Sequence, residues 1–164
     1  MALKADRHEL DVDISFFYNA AAAERGGVVV LDSTGSGAAM DQAGAKVKYK
    51  TGAAGDVAVG VLLNDVVNLD LTRQHINWHQ DEVQLGGKVS ILKKGYVVTN
   101  MYDGTPTAGG LACVGDTTLG KVELCSDVSG SHKIVVGRFL SIPYHASYVK
   151  LEVNLPAATD NAGT

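Results

Sequence analysis

The sequence predicts a mainly β fold: a small antiparallel β-barrel with an N-terminal arm and one short helix. Three observations carry that prediction. Late in the chain, "YVKLEVNL" (148–155) sets Val149, Leu151, Val153 and Leu155 against Lys150, Glu152 and Asn154, the period-two alternation of a half-buried strand. Glycine occupies 19 of 164 positions, well above an average usage of about 7%, while prolines number only three. Clusters of Gly, Ser, Thr and Asp also separate short apolar runs at close intervals, as turns separate short strands.

The elements follow in order. Residues 1–25 read as an arm. Within it "DVDISFF" (11–17) alternates Val12, Ile14 and Phe16 with Asp11, Asp13 and Ser15, a strand pattern. "NAAAAERGG" offers Asn19 as a cap, four alanines and the stop Gly26-Gly27, which predicts a short helix over about 20–25. Residues 26–155 read as one β-barrel domain. "VVVLD" (28–32) is a continuous apolar strand, and "AKVKYK" (45–50) alternates again beyond the breaker "STGSG". "VAVGVLLND" (57–65) and "VVNLDL" (66–71) follow the turn cluster "TGAAGD". Residues 72–87 carry no clean period and read as a long excursion. "KVSILKKGYVVTN" (88–100) is a strand pair, or one long strand bulged at Gly95. Short β pieces run through "LACV", "TTL" and "KVELC" to "IVVGRFLSI" (134–142). Residues 156–164, "PAATDNAGT", form a polar, flexible tail.

Two of these strands share a phrase. "VAVGVLLND" and "IVVGRFLSI" each run apolar to a glycine, Gly60 or Gly137, and resume with bulky residues. A glycine inside a strand loses side-chain packing, and its usual compensation is a bulge, a sharp bend or the close approach of another backbone. Matching glycines predict two similar hairpin units closing one barrel, so both are scaffold positions.

Composition narrows the function. Apolar residues make up 46%, enough to bury a core, and the net charge is −4. No basic cluster exceeds Lys93-Lys94, so neither nucleic acid nor an anionic membrane is expected as a partner. No run of 18 apolar residues is present to make a membrane-spanning helix. The first residues are charged and lack the apolar block of a secretory signal, which reads as a soluble protein made in the cytosol. On that basis Cys113 and Cys125, which flank "VGDTTLGKVEL", are expected as two buried free thiols in preference to a disulfide.

The sequence carries no catalytic constellation. His75 and His79 have the spacing of a helical metal pair, but no glutamate follows the first and nothing around them is helix-periodic. Asp11 and Asp13 share the polar face of a strand. The glycine loops "DSTGSG" and "TGAAGD" lack the residues of a phosphate loop, and no serine sits in a G-x-S-x-G setting. Trp78, in the unpatterned excursion, is a possible interface anchor. The chain is read as a protein that binds or assembles, not an enzyme, with no metal and no cofactor.

The order "GGVVVLD … GDVAVGVLLNDV … GGKVSILKKGYVVTN … GGLACVGDTTLG … KIVVGRFLSIP … YVKLEVNL" resembles the head decoration, or capsid cement, proteins of tailed bacteriophages over about residues 26–155. The resemblance implies a compact barrel of the type called a β-tulip. It also implies homotrimers seated on the outer surface of the virion shell at local threefold positions, made in the host cytoplasm and bound to the major capsid protein. Strand addition by the arm, through Val12, Ile14, Phe16 and Phe17, would then make the capsid contact. The competing reading is a virion-associated β-barrel module for glycan or receptor binding, with Trp78, Tyr96, Tyr102 and Tyr144 as an aromatic platform.

Overall fold

The computed structural model describes residues 3–4, 6–21, 23–33, 45–50, 56–65, 82–83, 85–128, 133–144 and 147–155. Those residues form strands β1 (His8–Tyr18), β2 (Ala23–Glu24), β3 (Val28–Leu31), β4 (Lys46–Tyr49), β5 (Ala58–Asp65) and β6 (Glu82–Val83). Beyond them lie β7 (Lys88–Thr99), β8 (Leu111–Val114), β9 (Val122–Leu124), β10 (Val135–Phe139) and β11 (Val149–Asn154). Nine strands make one sheet in the order β1-β4-β3-β5-β7-β11-β10-β8-β9, and β2 pairs with β6 apart from it.

The ladder also joins β1 to β7. The pairings β1–β4, β4–β3, β3–β5, β5–β7 and β7–β1 therefore return to the strand they started from. Its narrowest link is β1–β4, a parallel contact of two pairs, Phe17↔Lys46 and Tyr18↔Val47. β11, β10, β8 and β9 continue the sheet from β7 as an antiparallel extension.

β7 is a single strand of 12 residues that changes neighbour halfway. Its first half pairs with β5 from Asp65↔Val89 to Val61↔Leu92. Its second half pairs with β11 from Asn154↔Lys94 to Val149↔Thr99. β1 runs along the opposite edge throughout, from Phe17↔Lys88 to His8↔Tyr96, with register shifts near Leu10, Lys93 and Ile14-Ser15. The bulge anticipated at Gly95 is thus a set of bulges around it, where β7 hands over from one partner strand to the next.

Why the runs "VVV", "VLL" and "IL" are continuous follows from two cores. One contains Val28, Val61, Leu63 and Leu92 with Val114, Val136, Phe139, Leu151 and Val153 of the extension. The other contains Tyr18, Val29, Val47, Leu62, Val89 and Ile91. Successive residues of β3, β5 and β7 alternate between them: Val28 and Val29, Leu62 and Leu63, Ile91 and Leu92. These three strands form a wall buried on both faces, where alternation by polarity gives way to an unbroken apolar run. Strand β11 has one face on the core and shows clean alternation, with Val149, Leu151 and Val153 buried and Lys150 and Asn154 exposed.

The repeated phrase has a physical counterpart. Strand β5 is bulged at Val59, since Val29↔Gly60 is followed by Val30↔Ala58. Strand β10 is bulged at Val136, since Val135↔Cys113 is followed by Gly137↔Ala112. In each strand the bulge precedes the glycine, and the glycine lies against a neighbouring backbone. A methyl group on Gly60 would stand 2.3 Å from Leu92 O, and one on Gly137 would stand 1.9 Å from Glu152 O. The two strands occupy different places, however: β5 lies in the closed circuit and β10 in the extension.

Three expectations are corrected. The β piece expected at "TTL" (117–119) is the bend and turn that join β8 to β9. The helix over 20–25 is not formed: Ala23–Glu24 is strand β2, paired with Glu82–Val83, and Arg25-Gly26 is a turn. Four alanines propagate a helix only weakly over so short a span, and Ala23 is instead buried among Tyr18, Val29 and Val83. Cys113 and Cys125 are bonded as a disulfide, and free cysteines are absent. The β8–β9 hairpin pairs Cys113 with Glu123 and so brings Cys125, two residues on, within reach, with a Cα–Cα distance of 5.0 Å.

Candidate interaction surface

The stretch read as an arm, residues 1–25, includes β1, paired along its length with β7, and its Leu3 and Tyr18 are buried in the cores. β1 positions the four residues named as capsid contacts differently. Val12 packs on the extension-side core and Phe16 on the other, both partly buried. Phe17 is half-buried beside Lys46. Ile14 is 51% exposed, and Leu10, which the alternation argument passed over, is 65% exposed. Both exposed residues lie at bulges, which release a side chain from the strict in–out alternation. A bulge leaves no mark in the sequence, so Leu10 was not legible there.

Among the described residues, the backbone of β1 is paired on one edge only for most of its length. Along 8–16 the ladder to β7 uses one edge, and the edge toward β4 is joined only at Phe17 and Tyr18. The other end of the sheet is covered: Val122 N–H donates to Met101 O at 3.1 Å, and Asp103 N–H donates to Val122 O at 2.9 Å. Among the described residues, the β1 edge is therefore the place where the main sheet presents main-chain donors and acceptors for another strand.

The edge is stiffened by one charge pair. Lys93 Nζ donates to Asp13 Oδ2 at 2.6 Å, and Ser15 donates to Asp13 Oδ1 through its backbone N–H at 2.8 Å and its hydroxyl at 2.5 Å. The lysine and serine hydrogen bonds, opposed by partial burial, hold the Asp13 carboxyl down at about 2. Arg7 and Glu9 form a second pair at the start of the strand.

The aromatic residues are divided. His8, Tyr96, Glu152, Arg138 and Leu111 lie in one row across β1, β7, β11, β10 and β8, with the His8 and Tyr96 rings stacked at 6.1 Å. Lys4 Nζ stands 4.5 Å from the centre of the Tyr148 ring and 5.7 Å from that of Tyr144. Lys150 lies over Tyr96 at 5.8 Å. Tyr102 is elsewhere, packed on the core beside Val122. Tyr96 thus lies against His8 and Lys150, Tyr144 beside Lys4 and Tyr148, and Tyr102 on the core. Trp78, His75 and His79 lie outside the described residues, as do 66–71 and the tail 156–164.

Among the described residues no group of three or more His, Cys, Asp or Glu side chains is placed to hold a metal ion, and none of their helices is long and apolar enough to cross a membrane. No family model matches the chain, and no curated protein matches it.

Proposed function

We propose that this protein decorates and stabilises the outside of a tailed-phage icosahedral capsid by binding the major capsid protein, as a homotrimer at threefold positions. The observation that carries the reading is the edge of β1 that no described strand pairs along 8–16, flanked by exposed Leu10 and Ile14, in a chain whose motif order resembles the capsid cement proteins. The closed strand circuit with its splayed extension is read as a small barrel of the β-tulip kind. A strand of the shell protein adds to the β1 edge, main-chain hydrogen bonds supply affinity, and Leu10 and Ile14 supply apolar contact.

A cyclic trimer uses two different patches on each subunit. A second exposed apolar group, Leu140, Ile142 and Tyr144 in the β10–β11 loop, provides a surface distinct from the β1 edge. Three weak capsid contacts on one trimer gain on the order of 10²–10⁴-fold through effective concentration.

The test is binding to purified capsids that lack the protein. Leu10→Asp and Ile14→Asp change exposed side chains, so they leave the thermal midpoint within a few degrees and remove co-sedimentation with capsids. Full binding by both variants would exclude the β1 edge. Electron cryomicroscopy of the particles shows density at threefold positions if the reading holds; its absence from every shell position, or a monomer in both light scattering and the map, overturns it.

A further inference from the structure

The loop between β10 and β11 exposes apolar side chains on a backbone that is held by hydrogen bonds. Leu140, Ile142 and Tyr144 are 38%, 62% and 36% exposed. Leu140 N–H donates to Lys150 O at 2.8 Å, and Lys150 N–H donates to the Ser141 hydroxyl at 2.9 Å. Tyr144 and Tyr148 exchange both of their backbone hydrogen bonds, each at 2.9 Å. Ser147 sits in that turn with φ at 66°, a left-handed conformation that a residue other than glycine keeps only where its surroundings hold it. Apolar side chains on a stiff backbone suit association, because little freedom is left to lose when a partner arrives.

The rings of this loop meet a charge from the other end of the chain. Lys4 Nζ faces the Tyr148 ring at 4.5 Å and the Tyr144 ring at 5.7 Å. Its backbone is anchored separately: Lys4 N–H donates to Val98 O at 2.9 Å, and Leu3 bridges to Thr99. Leu3 is 3% exposed and belongs to the larger core. On their other edge Val98 and Thr99 pair with Lys150 and Val149 of β11. The end of β7 therefore lies between Leu3-Lys4 and the strand that leaves the loop, and Lys4 reaches across it to the loop's root.

We propose that Leu3-Lys4 is a strap that sets the β10–β11 loop, so that the N-terminal residues control the surface presented by Leu140, Ile142 and Tyr144. The inference rests on the reading of that loop as a patch for self-association, and adds the element that prepares it. A cation over aromatic faces is attracted by the ring quadrupoles. Burial of Leu3 fixes the lysine backbone in advance, so only one side chain is ordered when the charge meets the rings. Leu3 and Lys4 also use the edge of β7 that β1 uses. The strap is thus continuous with the strand read as the shell contact, and joins the two surfaces.

Hydrogen exchange and sedimentation equilibrium of the full-length protein test the strap. In Lys4→Gln, exchange at the Leu140, Tyr144, Tyr148 and Lys150 amides is expected to rise about two- to fivefold, with β5 and the β8–β9 hairpin unchanged. Lys4→Arg keeps wild-type exchange. Self-association weakens in Lys4→Gln and is retained in Lys4→Arg. Ile142→Asp, a change on the exposed surface itself, weakens association while loop exchange stays at the wild-type level, which separates the surface from the strap. Unchanged loop exchange in Lys4→Gln overturns the strap. Self-association of wild-type strength in Lys4→Gln, with its loop loosened, overturns the strap's control of the surface. A wild-type protein that is monomeric in solution and on capsids removes the trimer reading and with it that control, while the exchange result still decides whether Lys4 holds the loop.

Discussion

Asp13 shows how one side chain joins strands far apart in the chain, since its partner Lys93 is 80 positions away. Because folding lowers its proton affinity, the pair contributes fully above the ordinary carboxylate value of 3.8 and its contribution fades as pH falls toward 2. Lys93→Ala is expected to lower stability by about 1–2 kcal/mol at pH 7. It should also flatten the stability profile between pH 4 and 2, both read by denaturant unfolding. Gly60 and Gly137 give the larger single-residue effects. A Cβ at either position collides with backbone, which cannot rotate away as a side chain can. Gly60→Ala and Gly137→Ala are each expected to cost about 3 kcal/mol or more. The shared phrase made both glycines legible as scaffold. Their partners, Leu92 and Glu152, were not, because the approach of two backbones depends on sheet order.

Among the elements, strands were read where side-chain polarity alternates or apolar runs are bounded by turns, and these became β1, β3, β4, β5, β7, β8, β9, β10 and β11. What failed was local reasoning about segments whose fate is set by distant contacts. The end of the alanine run, Ala23, went into a strand because Val83 lies opposite it. The cysteines became a bridge because hairpin register places them diagonally across β8 and β9. That bridge spans a sequence separation of 12, for which closing the loop in the unfolded chain is worth about 3 kcal/mol. Reduction with a phosphine is expected to lower the unfolding midpoint accordingly and to speed exchange in the hairpin before it does so in β5.

For the molecule as a whole, the wall of β3, β5 and β7 couples the two cores. Leu62 lies in one and Leu63 in the other. Leu62→Ala and Leu63→Ala are each expected to cost about 2–5 kcal/mol, and both should shift one common transition. Coincident curves from tyrosine fluorescence and circular dichroism would show this coupling, whereas two separated transitions would show cores that melt independently. The same layout bears on how the chain is born. β1 leaves the ribosome ahead of its main partner, β7, which comes about eighty residues later. At roughly 5–20 residues per second, the nascent strand waits several seconds with Leu10, Val12, Ile14 and Phe16 all uncovered. In that interval a holdase chaperone, or the same strand on a neighbouring nascent chain, competes for the edge that β7 will later claim.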